Sequence, residues 1–134
     1  MTQQEKTAMQ VRCPWCLDGG SMLHYHDTEW GTPVHDDRRH FEYLSLEVLQ
    51  CGLNWAIVLK KRESFRQALD NFDFQKIALY TDRDLERVLS HPGIIRSERK
   101  IRAIVNNAGV FLGIIEEYVV PLTAISGTFP GANL

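Results

Sequence analysis

One carboxylate, Glu47, sits inside an otherwise largely apolar run, Leu46-Glu47-Val48-Leu49-Gln50-Cys51-Gly52-Leu53-Asn54-Trp55. At about 100° per residue on a helix it flanks the buried stripe, beside Tyr43, Leu44 and Cys51. A carboxylate at a core margin costs stability unless something meets it. Solvent, an arginine or an electropositive ligand would each serve. Upstream, Tyr25-His26-Asp27-Thr28-Glu29-Trp30-Gly31 is dense in aromatic and ionisable groups. The span from Cys13 to Trp55 holds all three tryptophans, all three cysteines and four of the five histidines. Cys13-x-x-Cys16 followed by His24-x-His26 offers four zinc donors, if an extended backbone turns alternate residues to one side. Cys13-Pro14-Trp15-Cys16 also suggests thiol redox chemistry. A reactive Cys-x-x-Cys, however, sits between a strand and a helix, and Gly19-Gly20 follows it here.

With 134 residues the chain has room for one domain. A hydrophobic content of 44% is that of a globular protein, and 24% charged residues argues against disorder. No apolar run approaches the roughly 18 residues of a membrane span. The polar start MTQQEKTAMQVR is neither a signal peptide nor a targeting helix, so a cytoplasmic protein is expected. Three cysteines cannot build a disulfide framework in that compartment. The net charge of −2 does not advertise a nucleic-acid partner. Two local patches do: Lys60, Lys61, Arg62 and Arg66, and then Arg96, Arg99, Lys100 and Arg102. Solvated helix faces carry such runs as well.

The elements that must position these groups are all helical. Residues 1–12 form a lead-in, 13–36 a loop-rich segment, and 119–134 an irregular tail punctuated by Pro and Gly. Asp36 or Asp37 caps a helix with Phe41, Leu44, Val48 and Leu49 on one face, which stops or bends at Gly52. A second helix is predicted over 54–71 and a short piece over 74–79. Thr81 and Asp84 form a capping box for a helix carrying Leu85, Val88 and Leu89. His91-Pro92-Gly93 ends that helix, Gly93 by tolerating left-handed geometry. Ser97 caps the last helix, which carries Ile101, Ile104, Val105, Ala108, Phe111 and Leu112 and reaches about Tyr118. The expected fold class is an all-α helical bundle, with one domain over 13–118.

The connection at 90–97 has the shape of a helix-hairpin-helix. In that motif a Gly-containing turn and a helix N-terminus offer backbone N–H groups to a DNA phosphate. Ile94 and Ile95 would pin the turn, and Arg96, Arg99 and Lys100 would attract the backbone. An ordinary helix connection explains Pro-Gly equally well.

Taken together, several motifs resemble the 3-methyladenine DNA glycosylase I family. They are Cys13-x-Trp15, Tyr25-His26-Asp27-x-Glu29-Trp30-Gly31, Leu46-Glu47-x-x-x-x-Gly52-Leu53-x-Trp55, Leu59-Lys60-Lys61-Arg62-Glu63, Gly93-Ile94-Ile95-Arg96 and Lys100-Ile101-x-Ala103-Ile104-x-Asn106-x-Ala108. The resemblance covers roughly residues 11 to 112. It implies an enzyme that flips alkylated adenine out of double-stranded DNA and hydrolyses its N-glycosidic bond. The lesion is cationic and leaves as a neutral base, so little acid catalysis is needed. A pocket of aromatic faces with one carboxylate suffices. On this reading Glu47 bonds the base, Tyr25 and Trp55 stack on it, and Trp15 or Trp30 walls the pocket. Gly52 and Leu53 wedge into the vacated space, while Gly93, Ile95, Arg96 and Lys100 meet the DNA. A DNA-binding module without catalysis is the alternative.

The resemblance also implies a structural zinc, held by a Cys and a His near the start and by a His and a Cys near the end. Cys13 and His26 match the first pair. The second has no counterpart, because the last histidine is His91 and the last cysteine Cys51. Three explanations stay open: a fragment or truncated product, a natural short form, or a local site completed by Cys16 and His24. Truncation predicts uncovered apolar faces near Ile114, Ile115 and Val119, with marginal stability and self-association.

Overall fold

A computed structural model describes residues 11–17 and 19–118. The predicted irregular tail and most of the predicted lead-in lie outside the described residues. Within them the chain is helical, with no strand. It divides into two units, residues 1–32 and 33–134.

The first unit departs from the loop-rich expectation. A 3-10 turn, Pro14–Cys16, is followed by an α-helix, α1, Gly20–Thr28. Ser-Met-Leu-His-Tyr-His holds no helix breaker once the Gly19-Gly20 pair is passed, so the polar and aromatic residues continue as helix. His24 and His26 therefore stand on a helix, where residues two apart diverge by about 200°. The extended geometry expected to align them is absent.

The second unit is built from α2 (Asp37–Gln50), α3 (Trp55–Ala68), the short α4 (Phe74–Ile77), α5 (Asp82–Leu89) and the long α6 (Glu98–Tyr118). Three of its helix starts are capped as the sequence predicts, while Asn54 and Asp73, which the sequence does not single out, cap α3 and α4. The Asp36 side chain accepts from the N–H groups of Arg38 and Arg39, and Thr81 with Asp84 forms the reciprocal box. The Ser97 hydroxyl accepts from Lys100 N–H at 3.4 Å. Phe41, Leu46, Val58, Phe65, Ile77, Val88, Ile101 and Ile104 are fully buried. Phe41, Phe74 and Phe111 form an aromatic triangle with centroids 5.1–6.0 Å apart, tying α2, α4 and α6 together.

The predicted 54–71 helix ends earlier because Asp70, Asn71 and Phe72 all take positive φ, between 49° and 56°. This is costly backbone for residues with a Cβ. Tyr80 braces it by donating to Asp70 Oδ2 at 2.5 Å, and Arg87 donates to the Ala68 carbonyl at 3.0 Å. Burial, and then the bond to Asp70, push the Tyr80 phenol upward, so it remains a donor at any physiological pH.

Two further expectations change. Ile114 and Ile115 are half-buried against the core, Val119 lies outside the described residues, and the exposed apolar residues of α6 are Val110 and Tyr118. Gly93 does not have positive φ. What it provides is close approach to Ser64 of α3.

Candidate functional site

The candidate groups fall in both units. In the first, α1 carries Tyr25 and His26. His26 is buried, stacked on Trp30 at 5.4 Å and 17°, and met edge-on by Trp15 at 5.2 Å. Trp15 also meets Trp30 at 5.6 Å and Tyr25 at 6.3 Å. One face of Trp30 is thus taken by an imidazole, which makes this tryptophan a support for His26 before it is a wall for any base. Asp27 Oδ1 lies 3.0 Å from His26 Nδ1, and the Cys13 N–H points at His26 Nε2 at 3.5 Å. A carboxylate beside Nδ1 and a donor beside Nε2 together select the tautomer with its proton on Nδ1.

Asp27 is itself gripped by Arg12, whose Nε and Nη2 donate at 2.9–3.2 Å. This fork, and then the His26 contact, hold the Asp27 carboxyl below its ordinary value of 3.8. A depressed carboxylate contributes stability above its unfolded pKa, and the contribution is lost as pH falls through the folded one. Below about pH 4 the Trp15–His26–Trp30 cluster is therefore expected to loosen before the second unit melts. The fluorescence and near-ultraviolet dichroism of the wild type should show that acid step, and Asp27→Asn should lack it. An identical acid profile in the two proteins would refute the brace.

A structural zinc would need four donors here. Cys13 approaches His26 through its backbone N–H, 3.5 Å from Nε2, while Asp27 fixes the ring at Nδ1. Cys16 is buried and its Sγ turns to the Cys13 carbonyl at 3.1 Å. Among the described residues no three His, Cys, Asp or Glu side chains gather to hold a metal. The proposed Cys13/Cys16/His24/His26 set is not assembled, because α1 replaces the extended segment it required. Two donors do not fit a closed tetrahedral site.

In the second unit, α2 presents Glu47 on an exposed face. It lines an open cavity of about 310 Å³ with Val34, His40, Tyr43 and Leu44. Residues 40, 43, 44 and 47 share one helix face by the i, i+3, i+4, i+7 rule. That rule is the signal by which His40 could have been found from Glu47, and sequence reasoning missed it. Tyr43 faces two guanidinium groups, Arg62 at 5.3 Å and Arg39 at 6.0 Å, and its hydroxyl accepts from Arg39 at 3.3 Å. Trp55 begins α3 behind an Asn54 cap and packs partly on the core, outside the lining of this cavity.

The turn between α2 and α3 is tightly specified. Gly52 has φ +78°, and an added Cβ would meet no atom within 4 Å, so conformation alone demands glycine. Leu53 N–H donates to the Gln50 carbonyl at 2.6 Å, and Gln50 Nε2 donates back to the Leu53 carbonyl at 2.9 Å.

The basic patches resolve unequally. Arg62 is buried, bound to Glu42 at 2.8 Å, so it is a core residue and no part of a solvated face. Arg102 pairs with Glu98 at 2.8 Å and Asp82 at 3.7 Å. Arg96 and Arg99 are exposed at the turn joining α5 to α6, where Ile94 is buried and Ile95 partly so.

A family model described as methyladenine glycosylase matches residues 15–126. The chain is 44% identical over 106 residues to the DNA-3-methyladenine glycosylase of Haemophilus influenzae, covering 79% of this chain and 57% of that protein. A crystal structure of 3-methyladenine DNA glycosylase I superposes with a TM-score of 0.79 at 41% identity, over 86% of this chain and 63% of that one. The Staphylococcus aureus glycosylase, solved to explain its 3-methyladenine recognition, superposes with a TM-score of 0.75 at 32% identity, over 90% and 61%. The chain spans little more than half the length of the curated relatives it matches. No helix among the described residues is long and apolar enough to cross a membrane. With most of its length inside the family model and 44% identity to a named relative, the chain belongs to the methyladenine glycosylase family.

Proposed function

We propose that this chain carries the base-recognition part of a cytoplasmic DNA glycosylase, which flips 3-methyladenine from double-stranded DNA and hydrolyses its N-glycosidic bond. The observation that carries this reading is Glu47, a carboxylate on the exposed face of α2 that opens on a largely apolar cavity. Small-ligand sites are lined this way, apolar with few charged groups. A methylated adenine is cationic and planar, so a carboxylate edge and aromatic faces bind its charged form, and the bond to sugar breaks as that charge is relieved. The family resemblance gives Glu47 the bond to the base and gives Tyr25 and Trp55 the stacking roles, with Trp55 outside the lining of the cavity beside Glu47. No general base is assigned. The hairpin at 90–97, with Gly93, Ile95 and Arg96, grips a phosphate through backbone N–H groups and charge. Cys13 and His26 would offer two donors to a structural zinc, short of a closed tetrahedral set.

The test is release of free 3-methyladenine from alkylated duplex DNA by this chain and by Glu47→Gln. Glutamine keeps the shape and loses the charge, a change comparable to losing one charge-assisted hydrogen bond. Release about tenfold slower in the variant supports the assignment. Release from neither folded protein refutes it and leaves a DNA-binding module.

A further inference from the structure

Two segments that the proposed function places against DNA, the 51–54 turn and the 90–97 hairpin, are joined by one ammonium group. Lys100 Nζ donates to the Leu49 carbonyl at 2.9 Å and to the Cys51 carbonyl at 2.6 Å. Its own backbone N–H caps onto Ser97, so its stem rises from the first turn of α6. The end of α2 leaves unfilled carbonyls with partial negative charge, a natural seat for a cation. With Lys100 in place the carbonyls of Val48, Leu49, Gln50, Cys51 and Leu53 all accept hydrogen bonds. These bonds tie down the carbonyls that flank Gly52 on both sides, with Leu53 just past it.

We propose that Lys100 is a positioning residue for base extrusion: it locks the Gly52-Leu53 turn to the hairpin and is not a phosphate ligand. This corrects its expected place among the DNA contacts, and it rests on the proposed function. The physical reason is competition. To reach a phosphate the ammonium must abandon two carbonyls, both short and charge-assisted, at the end of a helix. Arg96 and Arg99, exposed on the same hairpin, bear no such constraint. Docking the hairpin on the backbone therefore delivers Leu53 at a fixed offset, without ordering a loop during extrusion.

Two measurements on the full chain test this, one without DNA. Amide hydrogen exchange at 51–54 is expected to rise about tenfold or more in Lys100→Met while the centres of α3 and α6 keep their protection. Lys100→Arg, which still offers donors to both carbonyls, should restore much of that protection. Unchanged exchange at 51–54 overturns the proposal whatever the DNA results. Should Lys100→Met fail to fold, the exchange comparison moves to Lys100→Arg and Lys100→Gln, where equal exchange at 51–54 in the two overturns it.

The second is binding to a fluorescent undamaged duplex and to the same duplex with one abasic-site analogue, across a salt series. Lys100→Met should keep the wild-type salt slope and lose most of the preference for the abasic duplex. Arg99→Met should lower the slope by about one and keep the preference. A slope lowered by about one in Lys100→Met makes it a phosphate ligand and overturns the proposal, as does a wild type that binds without abasic preference. Absence of duplex binding by the wild type refutes the proposed function instead, and exchange still decides whether Lys100 holds the turn.

Discussion

Glu42→Ala is expected to cost about 3–5 kcal/mol of folding stability, a large share of the roughly 5–15 kcal/mol that holds a domain folded. Glu42 and Arg62 are both buried, and Glu42 Oε1 accepts from Arg62 Nε at 2.8 Å and from Arg66 Nε at 2.9 Å. The Arg62 guanidinium also faces the Tyr43 ring at 5.3 Å. Alanine at 42 removes the carboxylate 2.8 Å from that buried cation, and with it the charge that offsets its desolvation. Arg66, about a third exposed, recovers water and adds little. Glu42→Gln keeps an acceptor and should cost markedly less. The double change Glu42→Leu with Arg62→Met removes both charges and should lie far closer to wild type than Glu42→Ala. Urea unfolding of the four proteins checks the order. A Glu42→Ala midpoint near the wild type would mean that water reaches Arg62. The pair also matters for the candidate site, since Glu42 precedes Tyr43 on α2 and Arg62 lies beside that ring.

The helices of the second unit were legible because their signals are local. Asp36, Thr81 with Asp84, and Ser97 can satisfy orphan N–H groups only at a helix start, and the structure uses all of them. Apolar spacing likewise placed Leu49, Val88, Ile101 and Ile104 in the core. Glu47 could be placed on the margin of a helical stripe, but not the cavity, which also needs Val34 from the segment before α2. The first unit read as loop because Gly19-Gly20 and Gly31 outweighed the residues between them, which form a helix. That error produced the four-donor zinc set, whose geometry required an extended backbone.

Charge was the least legible quantity. Lys60, Lys61, Arg62 and Arg66 look alike as a run, yet Arg62 is inside the protein. Its partner stands 20 residues away on another helix, beyond any local pattern. Lys100 likewise finds its acceptors 49 and 51 residues earlier in the chain. As patches, both side chains could serve DNA or a solvated face, whereas long-range hydrogen bonds tie both to the protein itself. The cations left at the hairpin, Arg96 and Arg99, are those with no such demand.

Gly93→Ala is the second large expected effect, about 3 kcal/mol, at the upper end of the cost of overfilling a close contact. The sequence suggested that this glycine supplies left-handed backbone, but its φ is not positive. A Cβ built on Gly93 would instead lie 2.7 Å from Ser64 Cβ, and nearer still to Ser64 Oγ. The hydroxyl can rotate away. The Cβ cannot, because it is fixed to the backbone of α3, whose neighbouring Phe65 is fully buried. The hairpin therefore presses on α3 at a point where no side chain fits. Three variants separate this account from a backbone effect. Ser64→Ala alone should be nearly neutral. Gly93→Ala with Ser64→Ala should remain destabilised, since the two Cβ atoms still collide. Gly93→Ala with Ser64→Gly should recover most of the loss, retaining about 1 kcal/mol for glycine within a helix. Thermal melts of the set give the coupling directly. If Ser64→Gly rescues nothing, contact with α3 is not what requires glycine at position 93.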